Sequence, residues 1–182
     1  MRKIFGVAAM LAVCIGPASA ADVIFEGKVG QFSPTDSNFR GIYGGGLIFG
    51  GEARLGIWDN IMLWAEGKYF KKTGKLTYTQ ENTTLKLTTG AAGLLYALPV
   101  GASVRLYAGA GLDYVSYNEE NIIGSVSKTG TGFAAKVGFY AALVKFLVVD
   151  GYYEFSSVKM TPADFEINVG GHELGVGLGV RF

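Results

Sequence analysis

Large apolar residues alternate with small or charged residues over most of this chain. The alternation is clearest in segment 174–182, where the apolar positions are Leu174, Val176, Leu178, Val180 and Phe182. Between them lie only glycines and Arg181. Because successive side chains of a β-strand point to opposite faces, this period of two predicts a strand with one apolar face and one small, charged face.

Eight such segments follow one another along the chain. They cover residues 22–33, 40–57, 61–72, 84–98, 103–118, 130–144, 146–159 and 168–182. Their connections alternate in length: 58–60, 99–102 and 144–145 are short, whereas 34–39, 73–83, 119–129 and 160–167 are longer and polar. This regular alternation is typical of an up-and-down barrel that has tight turns at one end and loops at the other.

Sorting each segment by parity separates two classes of side chain. One face collects apolar residues, among them Tyr43, Leu47, Phe49, Tyr69, Leu85, Leu87, Leu95, Leu112, Tyr114, Phe133 and Tyr153. The other face collects the charged residues Glu26, Lys28, Glu52, Arg54, Glu66, Lys68, Lys86, Arg105, Asp113, Lys136, Asp150, Glu154, Glu173 and Arg181. The remaining positions of the charged face are largely glycine, including Gly30, Gly50, Gly90, Gly111 and Gly138.

The size of these side chains indicates which face is the interior. A soluble barrel or sandwich with an apolar core would show the same alternation. Its solvated face, however, would have room for long polar residues throughout. The interior of an eight-stranded barrel is only wide enough for side chains to fill it, so glycines must offset long charged ones. We therefore predict an all-β fold, an eight-stranded antiparallel up-and-down transmembrane β-barrel. A soluble lipocalin-like binder is the alternative.

The first 20 residues have the organisation of a secretory signal peptide. Arg2 and Lys3 precede an apolar stretch that ends in the small-residue cleavage pattern Ala18-Ser19-Ala20. We expect residues 21–182 to form one barrel domain without cysteine, since Cys14 lies inside the signal. Acidic and basic residues are nearly balanced in the remainder, which gives no indication of nucleic-acid binding.

These features together resemble the small outer-membrane β-barrel superfamily, the OmpA/OmpX-like eight-stranded barrels. The resemblance rests on the signal peptide, the segment Tyr107–Leu112 and the closing segment Leu174–Phe182. It implies export to the bacterial outer membrane, contact with outer-membrane lipids and lipopolysaccharide, and recognition by the outer-membrane assembly machinery. The residues that this machinery would read are Leu174, Val176, Leu178, Val180 and Phe182. We expect a monomer.

The superfamily hosts several functions, so the resemblance indicates location and fold without selecting one role. The predicted inward charges are balanced, seven acidic against seven basic. Paired charges are tolerable in a narrow interior whereas unpaired ones are costly, so we predict a salt-bridged, closed lumen. A structural or surface-interaction role follows from that prediction. A narrow channel for ions or small solutes is the alternative.

Few residues offer catalytic chemistry. His172 is the only histidine; it lies beside Glu173 at the loop end of the last segment, and its parity places it on the outer face. Lipid-modifying outer-membrane enzymes use a histidine together with a placed serine or further partners, and no serine adjoins His172 in the sequence. We therefore expect no enzymatic activity, no cofactor and no metal site. The long loops are the candidates for binding an extracellular ligand.

Overall fold

The computed structural model describes residues 22–75, 81–122, 124–163 and 165–182. The predicted signal peptide, residues 1–20, lies outside the described residues. So do four of the loop residues that could meet a ligand: Tyr78, Gln80, Ile123 and Asp164.

The described chain consists of ten strands and one short helix. In chain order they are β1 (Val23–Pro34), α1 (Ser37–Tyr43), β2 (Gly46–Trp58), β3 (Ile61–Lys75), β4 (Asn82–Pro99), β5 (Val104–Asn121), β6 (Gly124–Val144), β7 (Leu147–Ser157), β8 (Lys159–Ala163), β9 (Phe165–Asn168) and β10 (Gly171–Arg181).

Eight of these strands form a closed antiparallel barrel in the order β1-β10-β7-β6-β5-β4-β3-β2. Strand β10 closes it by pairing with β1, with Val29 opposite Val176, and Val23 and Phe182 exchange backbone hydrogen bonds at the end of this seam. Closure leaves no barrel strand with an unpaired edge, which is the condition for a sheet to lie in lipid. The predicted fold class is confirmed. Within the described residues, no helix is long and apolar enough to cross a membrane.

The outer wall also carries glycines. Gly27, Gly51, Gly67 and Gly90 are aligned across β1, β2, β3 and β4. A Cβ atom at Gly27 would meet nothing within 4 Å, and one at Gly67 would meet only a backbone oxygen at 3.9 Å. The packing of the barrel therefore does not require glycine at these two outward positions.

The segment predicted as strand 40–57 begins with the helix α1 instead. The Asp36 carboxylate accepts hydrogen bonds from the backbone N–H groups of Asn38 (2.9 Å) and Phe39 (3.0 Å), which is an N-cap arrangement. Gly44, at φ +64°, ends the helix. Phe39 and Tyr43 lie four residues apart, so both rings face the barrel and are buried. The prediction that Tyr43 faces outward was wrong for this reason.

Two predicted loops are largely strand. Strands β5 and β6 continue to Asn121 and from Gly124, so segment 119–129 is the tip of a long hairpin. Segment 160–167 falls within the β8–β9 hairpin, in which Met160 pairs with Ile167. In each of these two hairpins the two strands pair with each other, which the polar composition of the segments does not indicate.

The predicted facing of β4 was reversed. Leu85, Leu87 and Leu95 are buried inside the barrel, whereas Lys86 faces outward. The register explains this, because Leu87 lies opposite the inward Phe70 of β3. Gly90, also predicted to face inward, belongs to the outward glycine row.

Candidate functional site: the barrel lumen

A layer of charged side chains fills the lumen at mid-height, and we call it the ion-pair layer. Six strands contribute to it. Its members are Glu26 and Lys28 from β1, Glu52 and Arg54 from β2, Glu66 and Lys68 from β3, Lys136 from β6, Asp150 and Glu154 from β7, and Glu173 from β10. All are buried. Their inward direction follows from strand parity, as the sequence analysis predicted for each of them.

Arg54 is the most connected cation on the turn side of this layer. Its guanidinium donates hydrogen bonds to Glu52, to Glu26 (3.2 Å) and to Asp150 (3.0 Å). It also bonds the hydroxyl of Tyr107 (3.3 Å), which in turn donates to Asp150 (2.9 Å). Arg54 of β2 is thereby hydrogen-bonded to side chains of β1, β5 and β7.

The lysines extend the network upward. Lys28 contacts Glu52 at 2.7 Å, and Lys136 contacts Glu52 at 2.7 Å and Glu66 at 2.6 Å. Glu52 therefore meets three cations. On the loop side, Lys68 joins Glu66 (2.9 Å), Glu154 (2.6 Å) and Glu173 (2.9 Å). These pairs link strands on opposite sides of the barrel.

The cations also stack on lumen aromatic rings. Lys136 Nζ lies 3.7 Å from the ring centroid of Trp64, and Lys28 Nζ lies 3.9 Å from that of Tyr152. The Arg54 guanidinium lies 4.4 Å from the ring of Tyr107. A desolvated cation gains from the negative face of a ring, so these aromatics stabilise the same charges that the carboxylates pair with.

The buried acidic and basic groups are not equal in number, which corrects the predicted seven against seven. The ion-pair layer has more carboxyl groups than cations, and the inward, buried Asp113 adds another above it. Three predicted cations are absent from the layer. Lys86 faces outward, and Arg105 and Arg181 lie at the turn end of the lumen, where they contact Asp22 at 3.8 Å and 2.6 Å. Asp22 was not predicted as a lumen residue, although it lies in the predicted segment 22–33 and has the same parity as Glu26 and Lys28.

Two apolar layers enclose the ion-pair layer. The lower one extends from the turn end to the level of the ion pairs and comprises Ile24, Met62, Trp64, Ala91, Leu95, Ala97, Tyr107, Ala134, Tyr140, Val148 and Tyr152. The upper one, toward the loops, comprises Phe32, Phe39, Tyr43, Ile48, Phe70, Leu85, Leu87, Val115, Tyr117, Val158, Met160, Ile167 and Val169. Helix α1 and the β8–β9 hairpin supply part of this upper layer and cover the barrel end. Neither layer was predicted from the sequence.

A small cavity of about 20 Å³ lies between the upper layer and the ion pairs. Asp113, Thr89 and Lys68 line it, and Asp113 Oδ1 and Thr89 Oγ1 make no hydrogen bond. This volume is enough for about one water molecule.

The chain matches the family described as "Outer membrane protein beta-barrel domain" over residues 5–182. The match covers nearly the whole chain. This chain therefore belongs to the outer-membrane β-barrel protein family. Its location is the bacterial outer membrane, as the sequence analysis predicted. In outer-membrane barrels the long connections face outside, so α1 and the β8–β9 hairpin lie at the extracellular end.

Solved structures agree with the fold of this outer-membrane barrel. Neisserial surface protein A is 19% identical, with 90% of this chain and 98% of that chain covered and a TM-score of 0.67. OprG from Pseudomonas aeruginosa is 16% identical, with 90% and 96% covered and a TM-score of 0.71. Ail from Yersinia pestis, in complex with the heparin analogue sucrose octasulfate, is 16% identical, with 89% and 97% covered and a TM-score of 0.56. No curated protein matches the sequence.

His172 lies on the outer wall. Its Nδ1 is 2.6 Å from the Tyr153 hydroxyl, and its ring stacks on Tyr153 and contacts Phe155. Ser33 occupies the position opposite on β1, so the fold places a serine beside His172 that the sequence alone does not. Neither a hydrogen bond to Ser33 nor a carboxylate partner of His172 occurs among the described residues.

Substitution of His172 therefore tests the absence of lipid-modifying chemistry. We expect His172→Ala to leave the acylation of lipid A unchanged in cells that express the barrel, because no described acid orients the imidazole. Mass spectrometry of extracted lipid A measures this, with Ser33→Ala as the matched variant. An acyl chain lost or gained with the wild type and restored in either variant would contradict the expectation.

Among the loop residues that could bind an extracellular ligand, some already have structural contacts and others do not. Glu119 accepts hydrogen bonds from Tyr117 and Thr83, and Asp36 caps α1. Exposed Asn38 and Ile122 remain available at the extracellular end. Across the described ranges, no group of three or more His, Cys, Asp or Glu side chains is arranged to hold a metal ion.

Proposed function

We propose that this protein is a non-conducting outer-membrane barrel, without enzymatic activity, that acts through its outer wall and its extracellular end. Its role is structural or surface-interacting. The observation that carries the proposal is the occupation of the lumen by side chains at every level. Two apolar layers enclose a dense ion-pair layer. Arg54 and Lys136 in the ion-pair layer, and Trp64 and Phe70 in the apolar layers, are almost fully buried.

An ion that crossed this lumen would meet two unfavourable regions. The apolar layers offer few oxygen ligands to replace its hydration shell, and the hydroxyls of Tyr107, Tyr117 and Tyr152 are already hydrogen-bonded. The ion-pair layer offers charges, but each cation is already ion-paired with at least two carboxylates. Separating such a buried pair leaves uncompensated charges in a region of low dielectric constant, which is strongly unfavourable. These costs support a closed barrel over a channel.

The relatives support a role at the cell surface. One is named a surface protein, and Ail is described as an attachment invasion locus protein crystallised with a heparin analogue. Among the residues that the structure describes, the extracellular end includes the β5–β6 hairpin, the β8–β9 hairpin and α1, all attached to the barrel. Loops and hairpins on a rigid scaffold are common binding elements. An extracellular ligand bound at this end fits the proposed role.

Conductance of the refolded barrel tests the closed lumen. We expect planar bilayers that contain purified wild-type protein to show the baseline current of protein-free bilayers at voltages of either sign. A general porin inserted under the same conditions provides the positive control, and protease protection of the refolded barrel confirms insertion. Stable, reproducible current steps from the wild type would contradict the proposal and favour the narrow channel.

A further inference from the structure

The outward-facing charges of the barrel are confined to one sector. Among the described residues of the barrel strands, the charged side chains with outward parity are Lys71 and Lys75 on β3, Lys86 on β4 and Glu120 on β5. The other strands have only uncharged outward side chains above their aromatic residues, such as Gln31, Ser127 and Thr131. The excess of positive charge on β3 and β4 is therefore a local feature of the wall.

These lysines lie just above the membrane-facing aromatic residues. Tyr69, half exposed on the outer wall, is two residues below Lys71 on β3, a rise of about 7 Å along the strand. Such rings mark the level of the lipid headgroups. Thr73 and Thr84 face each other one step higher, with their hydroxyl oxygens 3.2 Å apart. The sector thus combines ammonium groups and hydroxyls at headgroup height.

Lys71 and Lys86 are direct cross-strand partners, so two positive charges lie opposite each other in this sector. Like charges in this position repel each other and destabilise the pair. Lys86 has a half-exposed ion pair with Glu120 at 3.0 Å, which offsets one charge. Lys71 has no ion pair or hydrogen bond with any described residue. An anion that contacts both ammonium groups would relieve the repulsion.

We propose that this sector, Lys71, Lys86, Lys75, Thr73 and Thr84, binds the phosphate of a phosphorylated glycolipid of the outer leaflet, the lipid A class. Ammonium groups paired with hydroxyl donors match a phosphate in charge and in hydrogen bonding. The lipid-facing parity of these side chains and their position above Tyr69 favour a membrane lipid over a soluble anion. The inference goes beyond the proposed function and rests on the outer-membrane location; a conducting lumen would leave it intact.

Lipid retention by the refolded mature barrel tests the site. The protein is inserted into phosphatidylcholine nanodiscs that contain diphosphoryl lipid A, fully dephosphorylated lipid A or phosphatidylglycerol, and native mass spectrometry then counts the lipids that stay bound. We expect diphosphoryl lipid A to be retained in preference to the other two. Soluble inorganic phosphate, added at millimolar concentration, should not displace it.

Charge variants connect retention to the lysines. We expect Lys71→Gln/Lys86→Gln to reduce retention of diphosphoryl lipid A roughly tenfold or more, since each lysine near an anionic membrane surface contributes to binding. The matched control, Lys128→Gln/Lys145→Gln, removes the same charge from the inner side of the β5–β6 hairpin and from a turn at the other end, and it should bind like the wild type.

A charge reversal separates lost binding from lost folding. Lys71→Glu places a carboxylate opposite Lys86, so it should preserve or raise resistance to unfolding while it abolishes retention. Equal retention of dephosphorylated lipid A or of phosphatidylglycerol, displacement by inorganic phosphate, or unchanged binding by the double variant would each overturn the proposal. So would a matched control that loses lipid as strongly as the double variant.

Discussion

Replacement of Arg54 with methionine should destabilise the barrel by about 3–5 kcal/mol, the range for removing one partner of a buried ion pair. Methionine preserves much of the length of the side chain and can still pack on Tyr107. It removes the hydrogen bonds to Glu52, Glu26 and Asp150, and it leaves excess negative charge in a layer that already has more carboxyl groups than cations. The loss is therefore electrostatic rather than steric.

Urea unfolding of the refolded protein in lipid vesicles measures this effect. Trp64 lies beside the ion-pair layer and reports by fluorescence, and the mobility shift of the folded barrel on gels gives a second probe. Lys145→Met in a turn is the control and should remain within about 0.5 kcal/mol of the wild type. An unfolding midpoint of Arg54→Met equal to that of the control would show that the network contributes little net stability.

Alanine at Gly111 should destabilise the barrel by about 1–3 kcal/mol, whereas alanine at Gly67 should be neutral or stabilising. Gly111 faces the lumen on β5, and an added Cβ would lie 2.2 Å from the Ala92 carbonyl oxygen and 2.8 Å from the Cα of Gly93. Backbone atoms cannot move aside as a flexible side chain can. At Gly67 the nearest atom is 3.9 Å away and the face is open to lipid.

The same unfolding assay compares the two glycine variants, and the fraction of protein that refolds provides an independent readout. Because the substitution is identical, differences in intrinsic strand propensity largely cancel between them. Equal destabilisation at both positions would mean that close inter-strand approach does not determine where the barrel requires glycine.

The strand count and the closed antiparallel architecture could be predicted because period-two alternation follows directly from backbone geometry. The facing of β4 could not. Leucines inside the upper apolar layer and leucines in contact with lipid have the same hydrophobicity, so Leu87 and Leu112 look alike in sequence although one is buried and the other exposed. For the same reason Trp64 and Phe70 gave no sign that the lumen contains two apolar layers.

The composition of the ion-pair layer was largely predictable, but its pairing was not. Lys28 contacts Glu52 and Asp150 on other strands, although Glu26 is two residues away on its own strand. Lys68 reaches Glu173 across 105 positions of sequence. Such contacts depend on register and on the width of the lumen, which parity does not supply. The role of Leu174, Val176, Leu178, Val180 and Phe182 in assembly stays a prediction.

The seam between β1 and β10 has a consequence for the order of folding. Every other neighbour in the barrel can pair as soon as two nearby segments are present, but β1 must wait for the strand that follows all the others in the chain. Until β10 docks, two strand edges stay open and the charged interior is accessible to water. Loop-closure entropy delays such long-range pairing. A chain truncated before Gly171 therefore cannot close, and it should associate with other chains through those edges.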